Sequence, residues 1–219
     1  MLAKIEPPKR KTRSILLDTA EEQFATYGYD GVSIRSITEA AKVNLGSVNH
    51  FFASKEGLYF EVIARRASTL AAARLSQLNA NLPAVGDDSH QISVRKIVSA
   101  FIEPALKLSM ESARDWTHYH RLVAQASVHC WEPPYSTAAT NSFNSVALVF
   151  INALKDSLPS TDERTIHYAY SFMLSATLTA LSQNGRLDAL SKDKYKSSDI
   201  APISKSLIKF ITAGIIGLT

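Results

Sequence analysis

The sequence predicts an all-α protein: an N-terminal three-helix module containing a helix-turn-helix, joined by a long fourth helix to a larger helical domain. Three observations predict it. Apolar residues recur three and four apart along almost the whole chain and nowhere alternate as a half-buried strand requires. Gly28, Pro83, Pro133-Pro134 and Asn184-Gly185 cut that pattern into segments of helical length. Two of the segments are short and lie about four residues apart, the spacing of a helix-turn-helix. A chain of 219 residues, 46% hydrophobic and 20% charged, has room for one small module and one larger domain. The boundary is expected inside the fourth helix, giving domains over residues 10–66 and 67–219.

The first helix is expected from Thr12, as its cap, to about Tyr27, with Ile15, Leu16, Ala20 and Phe24 on its buried side and Gly28 as its stop. Tyr29-Asp30-Gly31 is a turn. Ser33 caps the second helix, whose Ile34, Ile37, Ala40 and Ala41 share one face. Asn44 caps the third, where Val48, Phe51 and Phe52 pack inward and Leu45, Gly46, Ser47, Asn49 and His50 stay on the open side. Ser54 caps the fourth, with Glu56 in the favourable first turn and an apolar stripe from Leu58 to Leu78 that stops before Pro83. Residues 84–89 read as a linker. Further helices are expected from Ile92 to Met110 with a kink or break at Pro104, from Trp116 to Trp131, and from Thr137 to Leu158. Ser160 with Glu163 forms a capping-box pattern opening a helix to Asn184-Gly185. The last helix starts near Ser197 to Pro202 and runs through Ile216.

The open side of the third helix combines small and amide-bearing residues. Gly and Ser let a backbone approach closely, and Asn bonds adenine bidentately, so this face suits the major groove of double-stranded DNA. The net charge of +4 and pI of about 9.1 fit a polyanionic partner, and Lys4, Lys9, Arg10, Lys11 and Arg13 stand against Glu6 alone near the N-terminus. Lys55 sits where the dipole of the fourth helix disfavours a cation. A phosphate there would receive both its ammonium and the helix N–H groups.

Ser33 and Arg35, Ala41-Lys42-Val43-Asn44, Asn49-His50-Phe51-Phe52 and Ser54-Lys55-Glu56 together resemble the signature of the tetracycline-repressor family, over about Lys9 to Arg66. The chain departs from that pattern at Phe51, where His is usual, and at His50, where many relatives have Tyr. The resemblance implies phosphate contacts from Arg13, Ser33, Arg35, Ser54 and Lys55, and base reading by Asn44, Leu45, Gly46, Ser47, Asn49 and His50. It also implies a small-molecule pocket in the second domain, for which Phe101, Trp116, Tyr119, Trp131 and Phe143 are the candidate lining; the same aromatics would serve equally as plain core. A homodimer through the last two helices is expected, with Met173, Thr177, Ile208, Ile211 and Ile215 at the interface, since their apolar surface exceeds what a monomer exposes. Asn44-Leu45 with Asn49, and Phe210-x-x-Ala213-Gly214, resemble fatty-acid-responsive members, which implies a fatty acid or acyl derivative as effector. The expected function is that of a repressor released from a palindromic operator.

Other chemistry finds little support. His118 and His120 are two apart on a helix and do not face one another, and His129-Cys130 lacks any zinc spacing, so no metal and no cofactor are expected. No nucleophile elbow, phosphate loop or catalytic pair is present, so an enzyme is not expected. A lone cysteine and the lack of a secretory signal suggest a cytoplasmic protein. The apolar run Leu207–Leu218 is too short for a bilayer, so no membrane partner is expected. The alternatives are a DNA-binding protein governed by a protein partner and a small helical enzyme.

Overall fold

The computed structural model describes residues 9–82, 92–128 and 133–218. Ten helices occur among them: α1 Lys9–Tyr27, α2 Ile34–Ala41, α3 Gly46–Phe52, α4 Lys55–Ala80, α5 Val94–Glu111, α6 Ala113–Val128, α7 Tyr135–Ser157, α8 Glu163–Leu181, α9 Arg186–Leu190 and α10 Ile200–Gly217. No strand occurs among the described residues, as the periodicity predicts. Lys4, the side chains of Lys9 and Arg10, the 84–89 linker, and His129, Cys130 and Trp131 lie outside the described residues.

Two apolar cores organise the chain. The first is built by Leu16, Ala20 and Phe24 of α1, Ile37 of α2, Val48 and Phe52 of α3 and Leu58 to Ile63 of α4. Leu122 of α6 joins it. The second takes Leu70 and Leu78 from the distal half of α4 and buries the facing sides of α5, α6, α7, α8 and α10. One long helix therefore serves both cores in succession.

Charge reinforces the α1–α4 packing. Glu21 is only 3% exposed and takes both Arg65 and Arg66, the latter at 2.6 Å, while Arg65 also reaches Asp18 at 2.6 Å. A carboxylate this deep is tolerable because two guanidinium groups satisfy it. The Arg66 guanidinium also lies 5.5 Å from the ring centre of Trp116 on α6.

Several local expectations change. α1 is already helical at Lys9, so Thr12 is a buried position within the helix and not its cap. Asp162, not Ser160, caps α8: its carboxylate accepts from the Thr165 N–H at 3.1 Å and from the Thr165 hydroxyl at 2.6 Å, which leaves Ser160 in the preceding turn. That helix stops at Leu181, and the short α9 occupies part of what the sequence suggested was loop. α5 continues through Pro104, which is buried. α10 begins at Ile200, giving an 18-residue helix of mean hydropathy 1.4, by length and composition enough to cross a membrane. The expected run was shorter because it was counted only from Leu207. In the fold, Ile208, Ile211 and Ile215 of this helix are buried, and it packs on α5 and α8.

The five residues expected at a subunit interface also need correction. Met173, Thr177, Ile208, Ile211 and Ile215 are interior within a single chain and have no surface left for a partner. Because α8 and α10 are apolar on several sides, composition did not reveal which side points in. Their outward sides carry Tyr168 and Phe172 on α8 and Phe210 and Ile216 on α10, all more than half exposed.

Candidate nucleic-acid interface

The sequence around α2 and α3 fixes its own geometry through caps. The Ser33 hydroxyl accepts from the Ser36 N–H at 3.0 Å, and the Ser36 hydroxyl accepts from the Ser33 N–H at 3.1 Å, a reciprocal start to α2. Gln23 of α1 ties this end down by donating to the Ser36 carbonyl at 3.2 Å. At the far end Lys42 adopts φ 55°, ψ 40°, and the Val43 N–H reaches back to the Thr38 carbonyl at 3.0 Å. That left-handed closure turns the chain towards α3.

Asn44 does not cap α3 as the sequence suggests: Leu45 holds the cap position without a side-chain bond, and Asn44 stands one residue earlier, its side-chain oxygen accepting from the Gly46 N–H at 3.0 Å in a local turn that leads the chain into the helix. Regular helix begins at Gly46, with Val48 and Phe52 buried against the first core and Phe51 half-buried. The opposite side is open: Asn44, Leu45, Gly46, Asn49 and His50 are exposed and Ser47 is half-buried. Leu45 is 55% exposed, a large apolar side chain kept in water at the helix start. The pairs Leu45/Asn49 and Gly46/His50 are four apart and so lie side by side. The ring of His50 meets that of Phe51 edge-on at 4.8 Å.

The α3–α4 junction is equally constrained. Ala53 takes φ 64°, and the Ser54 hydroxyl accepts from the Gly57 N–H at 3.0 Å. Gly57 was not singled out from sequence, yet a Cβ there would lie 2.1 Å from the Phe52 carbonyl oxygen. Only glycine lets α4 start this close to the end of α3.

The five cationic or hydroxyl groups expected at phosphates are distributed around this unit. Ser33 and Ser54 use a lone pair in capping, which leaves each hydroxyl proton free to donate outward. Arg35 is highly exposed and pairs with Glu39 at 2.8 Å. Arg13 pairs with Glu61 at 2.9 Å while its guanidinium lies 5.3 Å from the Phe52 ring centre. Lys55 rests its ammonium 4.1 Å from the ring centre of Tyr29, and burial lowers its pKa against the pull of Asp30. Tyr29 itself stacks on Phe24 and meets Tyr59 and Tyr135 edge-on, so the platform under Lys55 includes a residue of α7.

Of the candidate pocket residues, Phe101, Trp116 and Tyr119 are buried in the second core, and Phe143 is half-buried against both cores. Trp131 lies outside the described residues. An apolar groove of about 440 Å³ lies elsewhere, between α9 and α10, lined by Leu187, Tyr195, Pro202, Ile203, Leu207 and Phe210. No group of three or more metal-ligating side chains occurs among the described residues.

Two family models match this chain. One, described as bacterial regulatory proteins of the tetR family, matches residues 16–62; the other, described as tetracyclin repressor-like, C-terminal domain, matches residues 99–214. An HTH-type transcriptional repressor of Mycobacterium tuberculosis is 33% identical over 60 residues, 27% of this chain and 32% of that protein. The HTH-type transcriptional repressor AcnR of Corynebacterium efficiens is 26% identical over 119 residues, 52% of this chain and 61% of that protein. The chain thus spans about a third and about three fifths of the length of these curated relatives. Among solved structures, a tetR-family bacterial regulatory protein from Rhodococcus RHA1 superposes with a TM-score of 0.67 at 15% identity, covering 94% of this chain and 97% of that one. The transcriptional regulator FadR of Bacillus subtilis, solved with stearoyl-CoA, gives 0.62 at 12% identity, covering 92% and 98%. The ketosteroid regulator KstR2 of Mycobacterium tuberculosis gives 0.62 at 16% identity, covering 92% and 93%. At these identities the structural likeness is one of fold.

Proposed function

The chain belongs to the tetracycline-repressor family of bacterial regulators, and on that premise we propose that it is a homodimeric repressor, released from a palindromic operator by a small apolar effector. The observation that carries the DNA reading is the open side of α3, where Asn44, Leu45, Asn49 and His50 stand exposed beside the capping hydroxyls of Ser33 and Ser54. In this reading residues 10–66 read DNA and residues 67–219 bind the effector and dimerise. Asn49 and His50 read base edges, with Asn44, Leu45, Gly46 and Ser47 completing that face, while Arg13, Ser33, Arg35, Ser54 and Lys55 hold phosphates and fix register.

Two contacts support effector control. α6 places Leu122 in the first core, and its Gln125 donates to the Ala25 carbonyl of α1 at 3.2 Å. On the same helix Trp116 and Tyr119 belong to the second core. An effector that favours one placement of α6 therefore biases α1, and it does so only by its difference in affinity for the two placements. The stearoyl-CoA bound to the Bacillus subtilis FadR fits an apolar acyl effector here.

Selection of binding sites from random duplexes at moderate salt tests this function. The expected product is a palindrome with half-sites about 34–36 Å apart. Retention of DNA without any enriched motif would defeat it.

A further inference from the structure

Arg74 of α4 differs from the other interior arginines. Arg65 and Arg66 share Glu21, whereas Arg74 donates only its Nε to the Phe101 carbonyl at 2.8 Å and lies 3.7 Å from the centre of the Phe101 ring. No carboxylate pairs with it among the described residues. Burial lowers its pKa to about 10, and the groups that oppose this are two phenols, Tyr119 and Tyr170. The residue as a whole is half-buried, with its guanidinium against the Phe101 ring. An unpaired cation in such a place is costly.

The groups around it are also unpaired. Tyr119 and His120 of α6 are 1% and 2% exposed, and neither the Tyr119 hydroxyl nor His120 Nε2 has a hydrogen-bond partner. His120 Nδ1 lies 3.5 Å from the Ser109 hydroxyl, which donates its own proton to the Ala105 carbonyl at 2.8 Å. Arg74 and Arg66 both act with burial to hold the imidazole neutral, its pKa falling to about 3. Buried polar groups are nearly always satisfied, and two orphaned atoms beside an arginine that has no carboxylate mark a place for a ligand.

We propose that Arg74 and Tyr119 form the receptor for a single carboxylate, and that the effector is an apolar monocarboxylate whose body packs among Phe101, Trp116 and Phe150. With its Nε held by the Phe101 carbonyl, the guanidinium offers its terminal N–H groups to a carboxylate, and the Tyr119 phenol adds a donor. One buried cation matches one carboxylate; Arg66, the next cation, is engaged by Glu21, so a phosphate dianion would arrive without a second counter-charge. The ring of Phe101 meets Phe150 edge-on at 5.1 Å, and Trp116 meets Tyr119 at 5.3 Å, which gives the anionic end apolar walls. This inference rests on the reading of the chain as effector-controlled and names the effector's chemical class.

The test is titration calorimetry on the full chain without DNA, so that it stands apart from the operator experiment. Octanoate and decanoate should bind, with 1-octanol at least about tenfold weaker and inorganic phosphate giving no heat. Arg74→Met should abolish the preference for carboxylate while the empty protein melts no lower than the parent, because an unpaired buried charge has gone. Tyr119→Phe, which removes one oxygen, should weaken octanoate by about threefold to tenfold. Should Arg74→Met fail to fold, the octanoate/octanol comparison and Tyr119→Phe decide the matter. Equal binding of octanoate and octanol, or undiminished octanoate binding in either variant, overturns the proposal. Tight octanoate binding that leaves operator DNA bound would keep this site and overturn the release mechanism instead.

Discussion

Lys55 stands in the first turn of α4, where the helix dipole disfavours a cation, with its ammonium on the Tyr29 ring and its pKa lowered by burial. A phosphate at that helix end offsets both effects. Lys55→Ala is therefore expected to weaken binding to all DNA sequences alike and to flatten the log-affinity against log-salt slope by about one. Asn49→Ala should leave that slope unchanged and relax preference at one base pair, at a cost of about 1–3 kcal/mol on the preferred sequence. Affinity titrations at several salt concentrations separate the two. His120 makes a different kind of prediction, in stability. Its pKa is depressed from 6.5 to about 3 by burial and then by Arg74 and Arg66, so below pH 6.5 the unfolded chain takes up a proton that the folded chain refuses. The contribution is intact above that pH and falls away by about 1.4 kcal/mol per pH unit down to about pH 3. Denaturation of the parent and of His120→Gln at pH 7 and pH 5 should show a smaller acid loss in the variant, by about 2 kcal/mol.

Among the elements, the α3–α4 junction makes the sharpest prediction. Glycine to alanine inside a helix usually gains up to about 1 kcal/mol. Gly57→Ala should reverse that sign, losing about 1–3 kcal/mol through overpacking, because its Cβ would meet the Phe52 carbonyl oxygen at 2.1 Å. The melting temperature and DNA affinity should fall together, since the junction sets the tilt of α3; a rise in melting temperature would show that no such contact exists. The helix-turn-helix backbone was legible in the sequence because its signals are local: Ser33 and Ser54 cap within three residues, and Gly28 stops α1, while Asn44 turns the chain one residue before the cap position assigned to it. The tight approach at Gly57 was not, since it is a contact between two helices. α8 and α10 were legible as helices but not in orientation, because isoleucine and phenylalanine on several sides leave no polar stripe to mark the outside. α9, five residues long, is too short to show a period. That Arg74 has no acid within helical reach is legible, since residues 62–86 hold no Asp or Glu; that it turns inward onto Phe101 is a contact between two helices and was not.

At the scale of the molecule, Tyr168, Phe172, Phe210 and Ile216 leave a large apolar surface on the outer sides of α8 and α10. A second copy of the chain would cover it in the proposed dimer. Phe172→Arg would bury an unpaired charge in that interface, costing about 3–5 kcal/mol, or more than about two decades in dimer affinity. Light scattering should find a monomer at concentrations where the parent is dimeric, and operator affinity should fall with it; a persistent dimer would place the interface elsewhere.

Leu122 and Gln125 have one further consequence. They sit on α6, far along the chain from the reading module, yet one fills its core and the other holds the last turn of α1. A segment cut after the fourth helix would lack a wall of its own core. The reading module is therefore not a transplantable cassette: a chimera that grafts it onto a related regulator must bring the facing surface of α6 along, and relatives that exchanged one part without the other would have lost the fit between them.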